Sequence, residues 1–474
     1  MPDNSPTILW YRRDLRLSDH PALSAAIARG GPVIAVYVHD DATSGLGAAP
    51  VWRLNRGLAA LDAALRELGS RLILRRGAAL DVLREVIRET GAGAVYWTRL
   101  YDPEARTRDS AVKSALRAEG IEARLYEGHL MFEPWSVETK AGGFYKVFTP
   151  MWKAVRTRDV DSPLAAPGRV PAPDTWPRSD RLDDWALGAA MDRGAAVLEA
   201  YARPAGERAA QARLHHFMAE IVGRYGEMRD MLAQDGTSGL SEYLSLGEIS
   251  PRQCWHAGQH ARQQGKPGAE AFLRELVWRE FAYHLMYHTP EILNRNWHRG
   301  WDAFPWTCNA AHPHVRAWQQ GRTGVPMVDA AMREMYVTGR MHNRGRMIVA
   351  SYLTKHLMTH WRIGQEWFDD CLVDWDPASN AMGWQWAAGS GPDAAPYFRV
   401  FNPATQLDRF DPDRRYVRRW VAEGQADPPE TALAYFDAVP RRWALSPGDA
   451  YPDPVVTPAE GRRRALAAYE HCAF

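Results

Sequence analysis

A chain of 474 residues with 46% hydrophobic and 24% charged residues has the length for two or three domains with sizeable cores. Its 58 basic and 57 acidic side chains leave a formal charge of +1, so any nucleic-acid contact must come from a local basic patch on a balanced surface. No apolar run approaches the length of a bilayer span, which excludes a helical membrane protein.

The opening MPDNSPTILW has no basic region followed by an apolar stretch and predicts no signal peptide. Cys254, Cys308, Cys371 and Cys472 lie far apart without CxxC spacing, as expected for reduced thiols of a cytoplasmic protein rather than a zinc site. Tryptophan is the unusual residue: 20, against 18 tyrosines and 13 phenylalanines. Most should be core or interface residues, since indole buries a large apolar area. Where they cluster beside polar residues, stacking or redox roles enter.

In chain order, TILWYRR (7–13), GPVIAVYVHD (31–40), RLILRRG (71–77), GAVYWTR (93–99) and EARLYE (122–127) read as buried strands. Between them PALSAAIARG, WRLNRGLAALDAALRELG and EARTRDSAVKSALRAEG have helical period, each closed by a glycine. Asp19 and Pro21 make a helix start before the first of these. This alternation predicts a doubly wound parallel sheet with ligands at the carboxyl ends of its strands. The first turn, RRDLRLSDH, lacks GxGxxG, so a standard dinucleotide site is not expected there. The expected organisation is an α/β domain over 1–135, a linker over 136–205 rich in Pro, Asp and small residues, and a larger all-helical domain over 206–474. Helical patterns in the last part include 207–234, 268–288, 326–338, 342–360 and 364–373.

Four stretches of the helical half carry chemistry. DGTSGLSEYLSLG (235–247) places Thr237, Ser238 and Ser241 around Gly239 ahead of a helix, where hydroxyls and free N–H groups suit a phosphate. On this stretch alone a capped turn is the simpler reading. FLRELVWREFAYHLMYH (272–288) puts Glu275, Trp278, Arg279 and Ala282 on one broad helix face, either a salt-bridged surface or the wall of a pocket for a flat ligand. RMHNRGRMIVAS (340–351) gathers Arg340, Arg344 and Arg346 with His342 and Asn343. It is either a solvated basic helix end or a phosphate contact. His342 by itself reads as a hydrogen-bonded structural histidine. DWDPASNAMGWQW (374–386) crowds Asp374 and Asp376, Asn380, and Trp375, Trp384 and Trp386 into thirteen positions. Its aspartates need partners, such as Arg346 or a heterocycle, because an unpaired buried carboxylate is costly. The sequence shows no metal-ligand set, GxSxG, P-loop or HExxH.

Taken in order, WYRRDLRLSDHPAL, TSGLS, LVWREF, TGVPMVDAAMREM, RMHNRGRM and DPASNAMGWQWAAGSGPDAAPYFRVFNP resemble the photolyase/cryptochrome flavoprotein family, from residue 7 to beyond 410. The resemblance is nearest to bacterial photolyases that split cyclobutane pyrimidine dimers. It implies a helical FAD-binding domain and an α/β domain carrying a light-harvesting antenna. By position it assigns FAD contacts to Tyr225, Thr237, Ser238, Gly239, Leu240, Ser241, Arg346, Asp374, Trp375 and Asp376, and the residue facing flavin N5 to Asn380. Trp384, Trp361 and Trp306 match the chain of indoles that carries electrons from the surface. Glu275, Trp278, Arg279, Asn343, Met347 and Trp386 match a pocket for a flipped-out dimer, with Arg229, Arg344 and Arg399 set for the flanking phosphates. Enzymes repairing (6-4) photoproducts carry histidines where this chain has Asn343 and Met347. Two positions depart from the family pattern: Arg340, where Trp is frequent, and Gly239, where Arg is.

The activity so implied is light-dependent repair of UV-damaged DNA by a monomeric lyase, in which excited, fully reduced FAD lends an electron to the dimer. The alternatives are a cryptochrome-like blue-light photoreceptor without repair activity and, more distantly, a DNA-binding flavoprotein. The YDPE and FYKVFTP segments imply 5,10-methenyltetrahydrofolate as the antenna, with 8-hydroxy-deazaflavin or FMN as the alternative.

Overall fold

The computed structural model describes residues 4–189, 191, 194–393 and 398–472. Positions 394–397 of the longest motif therefore lie outside the described residues.

Five parallel strands, β1 (Thr7–Tyr11), β2 (Val33–His39), β3 (Leu72–Arg76), β4 (Ala94–Thr98) and β5 (Glu122–Tyr126), form one sheet in the order β3-β2-β1-β4-β5. All five are the strands expected from sequence, each trimmed at its ends. Their period-2 alternation separates two apolar layers. Leu9, Tyr11, Ala35, Tyr37, Leu72 and Leu74 point to one face and pack with the Pro21–Arg29 and Ala48–Glu67 helices. Ile8, Trp10, Ile34, Val36, Ile73 and Trp97 point to the other, against the Ala79–Thr90 and Pro103–Ala118 helices. Helices on both faces explain why the strands read as continuous apolar runs.

The Ala79–Thr90 helix was not among the expected elements. ALDVLREVIRET is strongly amphipathic, with Ala79, Val82, Leu83 and Val86 buried, but no side chain caps its start. The first helix also begins differently from expectation. His20 caps it by accepting from Leu23 N at 3.1 Å. Asp19 is fully buried at φ 46° and takes Arg252 Nη2 at 2.7 Å, which ties the sheet domain to the helical half.

Residues beyond 206 are helical, as expected. The 207–234 pattern, however, is broken into a Glu207–His216 helix, a π-turn at Phe217–Ile221, a 3-10 turn at Val222–Arg224 and a short Tyr225–Met228 helix. The 342–360 pattern likewise ends its α-helix at Ser351 and continues as a π-turn, Tyr352–His356. Within 136–205, the Phe148–Val155 helix packs on the Ala269–His288 helix, with the Phe148 and Trp278 rings parallel at 3.7 Å. Among the described residues no helix is long and apolar enough to cross a membrane.

Candidate active site and flavin cavity

Four of the helices that line a cavity of about 760 Å³ carry most of its wall. The first is Ala269–His288, whose second half is buried on most sides; it turns Glu275, Trp278 and Arg279 to the cavity. Asn343–Ser351 starts at His342, whose Nδ1 accepts from Arg344 N at 3.1 Å, and it contributes Asn343, Arg346 and Met347. Burial lowers the His342 pKa to about 4, so this ring is neutral and structural. The third is Trp361–Cys371, whose Phe368 reaches the wall.

The fourth, Pro377–Ala388, is the segment of carboxylates, amide and indoles. Asp376 caps it by accepting from Ser379 N at 2.8 Å, and Pro377 at its first position has no N–H to lose. Ala378, Ala381 and Ala387 are buried, and such small side chains let neighbouring helices approach closely. That closeness puts Asn380, Trp384 and Trp386 on the cavity wall.

Both aspartates have protein partners. Arg346 Nη2 spans Asp374 at 3.0 and 2.8 Å. Asp376 Oδ2 takes Arg13 Nη2 at 3.0 Å and the Tyr283 hydroxyl. Burial by itself raises the Asp376 pKa, but Arg13, Arg279 and the hydrogen bonds from Tyr283 and Ser379 N outweigh it and hold the carboxyl below its usual range. Arg13 lies in the first βα turn, so the sheet domain supplies a half-buried counter-charge to the helical half.

Of the flavin-side residues expected from sequence, Ser238, Leu240, Ser241, Arg346, Asp374, Trp375, Asp376 and Asn380 line the cavity. Tyr225 stands behind the wall, buried edge-on to Phe217 at 5.3 Å. Thr237 and Gly239 face away through their carbonyls, which accept from Arg213 and Arg203 at 2.7 and 3.0 Å. Gly239 adopts φ 63°, and a Cβ there would lie 2.7 Å from Arg203 Nη1 and 2.8 Å from Arg213 Nε. Two guanidinium groups thus already fill the space that a side chain at 239 would enter. At the other departure, Arg340 donates to the Tyr201 carbonyl at 2.9 Å.

Of the residues expected at a lesion pocket, Arg229, Glu275, Trp278, Arg279, Asn343, Met347, Trp386 and Arg399 line the same cavity. Arg229 Nη1 holds Glu275 Oε1 at 2.5 Å. Arg279 is tied to His129, donating to its carbonyl at 3.0 Å. Arg344 is turned away, paired with Asp230 at 2.6 Å and lying 4.4 Å over the Phe410 ring.

Of the three indoles expected to form a chain, Trp384 lines the cavity and Trp306 is the most exposed. Trp384 is 2% exposed, and its Nε1 is buried without a partner among the described residues. Trp361 is fully buried and donates to Asn296 Oδ1 at 2.8 Å. Trp306 is half-buried and donates to the Thr354 carbonyl at 2.9 Å. His360, which the sequence did not single out, stands between the last two, 5.3 Å from Trp361 and 5.1 Å from Trp306. Arg13, Tyr283, Asp369 and His360 were all missed, because what marks each is a partner met across the fold rather than its local sequence.

A second cavity of about 710 Å³ opens at the carboxyl ends of β1, β2 and β4, where the strand order reverses. Arg12, Tyr37, Asp40, Asp102 and Arg108 line it from the sheet side, and Glu291, Arg295 and Gln365 from the helical side. Trp375 and Ser245 line both cavities.

The signature described as "FAD binding domain of DNA photolyase" matches residues 272–471, and that described as "DNA photolyase" matches 7–171. The chain is 44% identical to the deoxyribodipyrimidine photo-lyase of Agrobacterium fabrum, over 98% of both chains. The chain belongs to the DNA photolyase family. It is 37% identical to the Escherichia coli deoxyribodipyrimidine photo-lyase, again over 98% of both. The crystal structure of a bacterial class III photolyase from Agrobacterium tumefaciens superimposes with a TM-score of 0.90 at 42% identity, covering 99% of this chain and 98% of that one. The larger of these two cavities, bounded mostly by residues of the matched FAD-binding segment, has the volume of a cofactor site. It also offers what a flavin nucleotide needs: the Ser238 and Ser241 hydroxyls and the Asn380 carbonyl oxygen, all without protein partners among the described residues, beside paired aspartates.

Proposed function

We propose that the protein is a deoxyribodipyrimidine photo-lyase specific for cyclobutane pyrimidine dimers, working as a cytoplasmic monomer on UV-damaged DNA. When bound, fully reduced and excited by light, FAD supplies the electron that opens the cyclobutane ring and recovers it afterwards. No net redox change occurs, so no protein acid or base has to turn over.

The chain's own residues bind, orient and shield. Ser238 and Ser241, with the backbone of Thr237, Gly239 and Leu240, receive the pyrophosphate; Arg346 with Asp374, and Asp376 with Arg13, hold the flavin and its ribityl chain. Asn380 presents a neutral amide at flavin N5, where a carboxylate would oppose an anionic reduced ring. Trp278 and Trp386 flank the flipped-out dimer, Met347 packs on it, and Glu275 and Asn343 bond its pyrimidine edges. Arg229 holds Glu275 in place; Arg229, Arg344 and Arg399 meet phosphates. Trp306, Trp361 and Trp384 return electrons from solvent to oxidised flavin.

One observation carries this reading: flavin-side and lesion-side residues line a single continuous cavity, with no wall between Asn380 and Trp386. The second cavity, at the sheet's carboxyl edge, is the place for the antenna, 5,10-methenyltetrahydrofolate, or else 8-hydroxy-deazaflavin or FMN. Chromatography of the chromophore released from purified protein identifies it.

Lesion choice provides the test. Moving a hydroxyl between bases, as (6-4) repair requires, needs a positioned proton shuttle such as imidazole. Asn343 and Met347 offer an amide and a thioether, and the neighbouring His342 is locked as a helix cap with its pKa lowered to about 4. Illuminating the reduced protein with each lesion separately, and quantifying restored bases, should show repair of cyclobutane dimers and none of (6-4) products. Efficient (6-4) turnover would sink the assignment of this pocket.

A further inference from the structure

Resting on the reading that Asn380 meets flavin N5, we infer that Asp369 is a positioning residue that locks the Asn380 amide with its carbonyl oxygen toward the cavity. Asp369 lies on the Trp361–Cys371 helix and Asn380 on the Pro377–Ala388 helix, which packs against it. Asn380 Nδ2 donates to Asp369 Oδ1 at 2.6 Å and to the Gln365 carbonyl at 3.3 Å. An ionised carboxylate and a backbone carbonyl can only accept, so the nitrogen side of the amide must face them. The orientation therefore follows from chemistry and does not depend on telling O from N in coordinates. Oδ1 is left as the amide face without a protein partner, and Asn380 is on the cavity wall.

The carboxylate is itself held. Trp375 Nε1 donates to the same Asp369 Oδ1, so the carboxylate is bonded from two sides. Burial pushes the Asp369 carboxyl up to about 6, Glu366 and Asp370 act in the same direction, and the bonds from Trp375 and Asn380 oppose them. At neutral pH the group is thus mainly ionised and an acceptor. Asp369 lines neither cavity, so it acts through Asn380 and not on a ligand.

The consequence reaches the flavin. Reduced flavin carries a hydrogen on N5, and a carbonyl oxygen can accept it, whereas a flipped amide would present N–H against N–H. A carboxylate behind the amide also polarises it, making Oδ1 a better acceptor. Without Asp369 only the 3.3 Å bond to Gln365 restrains the amide, and both orientations become accessible.

The test uses the FAD-loaded protein and three variants, Asp369→Leu, Asp369→Asn and Asn380→Ala, with flavin content and melting temperature measured for each. The readouts are the midpoint potential of the bound flavin and the rate at which the reduced protein reoxidises in air. Asp369→Leu should lower the potential and speed reoxidation about three- to tenfold, the size of one lost hydrogen bond, as should Asn380→Ala. Asp369→Asn, which still offers a carbonyl acceptor, should restore both. Wild-type behaviour of Asp369→Leu alongside a shifted Asn380→Ala would overturn the anchor alone, as would failure of Asp369→Asn to rescue. Wild-type behaviour of Asn380→Ala would overturn the assignment of Asn380 and the anchor with it.

Discussion

Trp384 is large, almost fully buried and on the cavity wall, yet among the described residues its indole N–H finds no partner. A buried N–H left unsatisfied costs about 1–3 kcal/mol, so this residue was placed for its ring rather than its hydrogen bond. Its neighbours are aromatic: Phe368 at 4.9 Å and Trp318 at 6.0 Å, both edge-on. Replacing it with phenylalanine keeps a ring in the wall and removes an oxidisable one. Trp384→Phe should therefore abolish photoreduction of oxidised FAD while leaving repair by chemically reduced protein nearly intact. Flash photolysis checks the first half and a dimer-repair assay the second; normal photoreduction in the variant would take Trp384 out of the electron path.

At the scale of elements, the site depends on how closely the Trp361–Cys371 helix approaches the Pro377–Ala388 helix. Gly364 is the contact point: a Cβ built there lies 2.0 Å from Trp384 Cη2. A Cβ that close forces the indole or one of the two helices to shift. Gly364→Ala should therefore destabilise the protein by about 1–3 kcal/mol, the usual cost of overpacking a core. Melting in the absence and presence of FAD measures it, and an unchanged melting temperature would show that the two helices can separate freely.

A second dependence at this scale crosses between the two halves. Arg13, in the turn after β1, meets Asp376, the cap of the Pro377–Ala388 helix, at 3.0 Å. Because the folded pKa of Asp376 is lowered, its contribution to stability is full above the unfolded carboxylate range and is lost as pH falls through the folded value. Arg13→Ala removes the counter-charge and raises that folded value. The acid decline of the melting temperature should then begin at higher pH than in the wild type, and stability at neutral pH should fall by about 1.5–3 kcal/mol, the worth of a charged hydrogen bond. A pH series of melting curves on both proteins decides it.

Taken whole, the molecule has a formal charge of +1 and no general affinity for a polyanion. Binding to damaged duplex must come from a few arginines at the cavity mouth, and each phosphate they neutralise releases counterions. At a slope near 0.9 per contact, Arg229, Arg344 and Arg399 together give roughly a 40-fold loss of affinity between 50 and 200 mM salt. Arg344 must first leave Asp230, and Arg229 is shared with Glu275, so the slope also reports whether those pairs open. A flat response would remove all three from the interface.

Local physics made much of this legible from sequence. The five strands announced themselves because a sheet covered on both faces needs unbroken apolar runs, and the helical half showed the 3.6-residue period of packed helices. The residue types at the cavity were equally visible, since carboxylates, a neutral amide and indoles within thirteen positions have no ordinary structural use. Other features could not be read from any single stretch. The Ala79–Thr90 helix has no side-chain cap at its start, and the sheet it covers holds it there. The breaks after His216 and Ser351 are π-turns, whose extra residue leaves the apolar pattern intact. Arg13, 363 residues from Asp376, and Asp369, eleven from Asn380, have no spacing that marks them as partners. Sequence determined which groups were present and which local segments would fold. Tertiary packing decided which charges are paired, which face the amide presents and which glycine lets an indole in, because these depend on burial and distances of a few ångströms that exist only when separate elements meet.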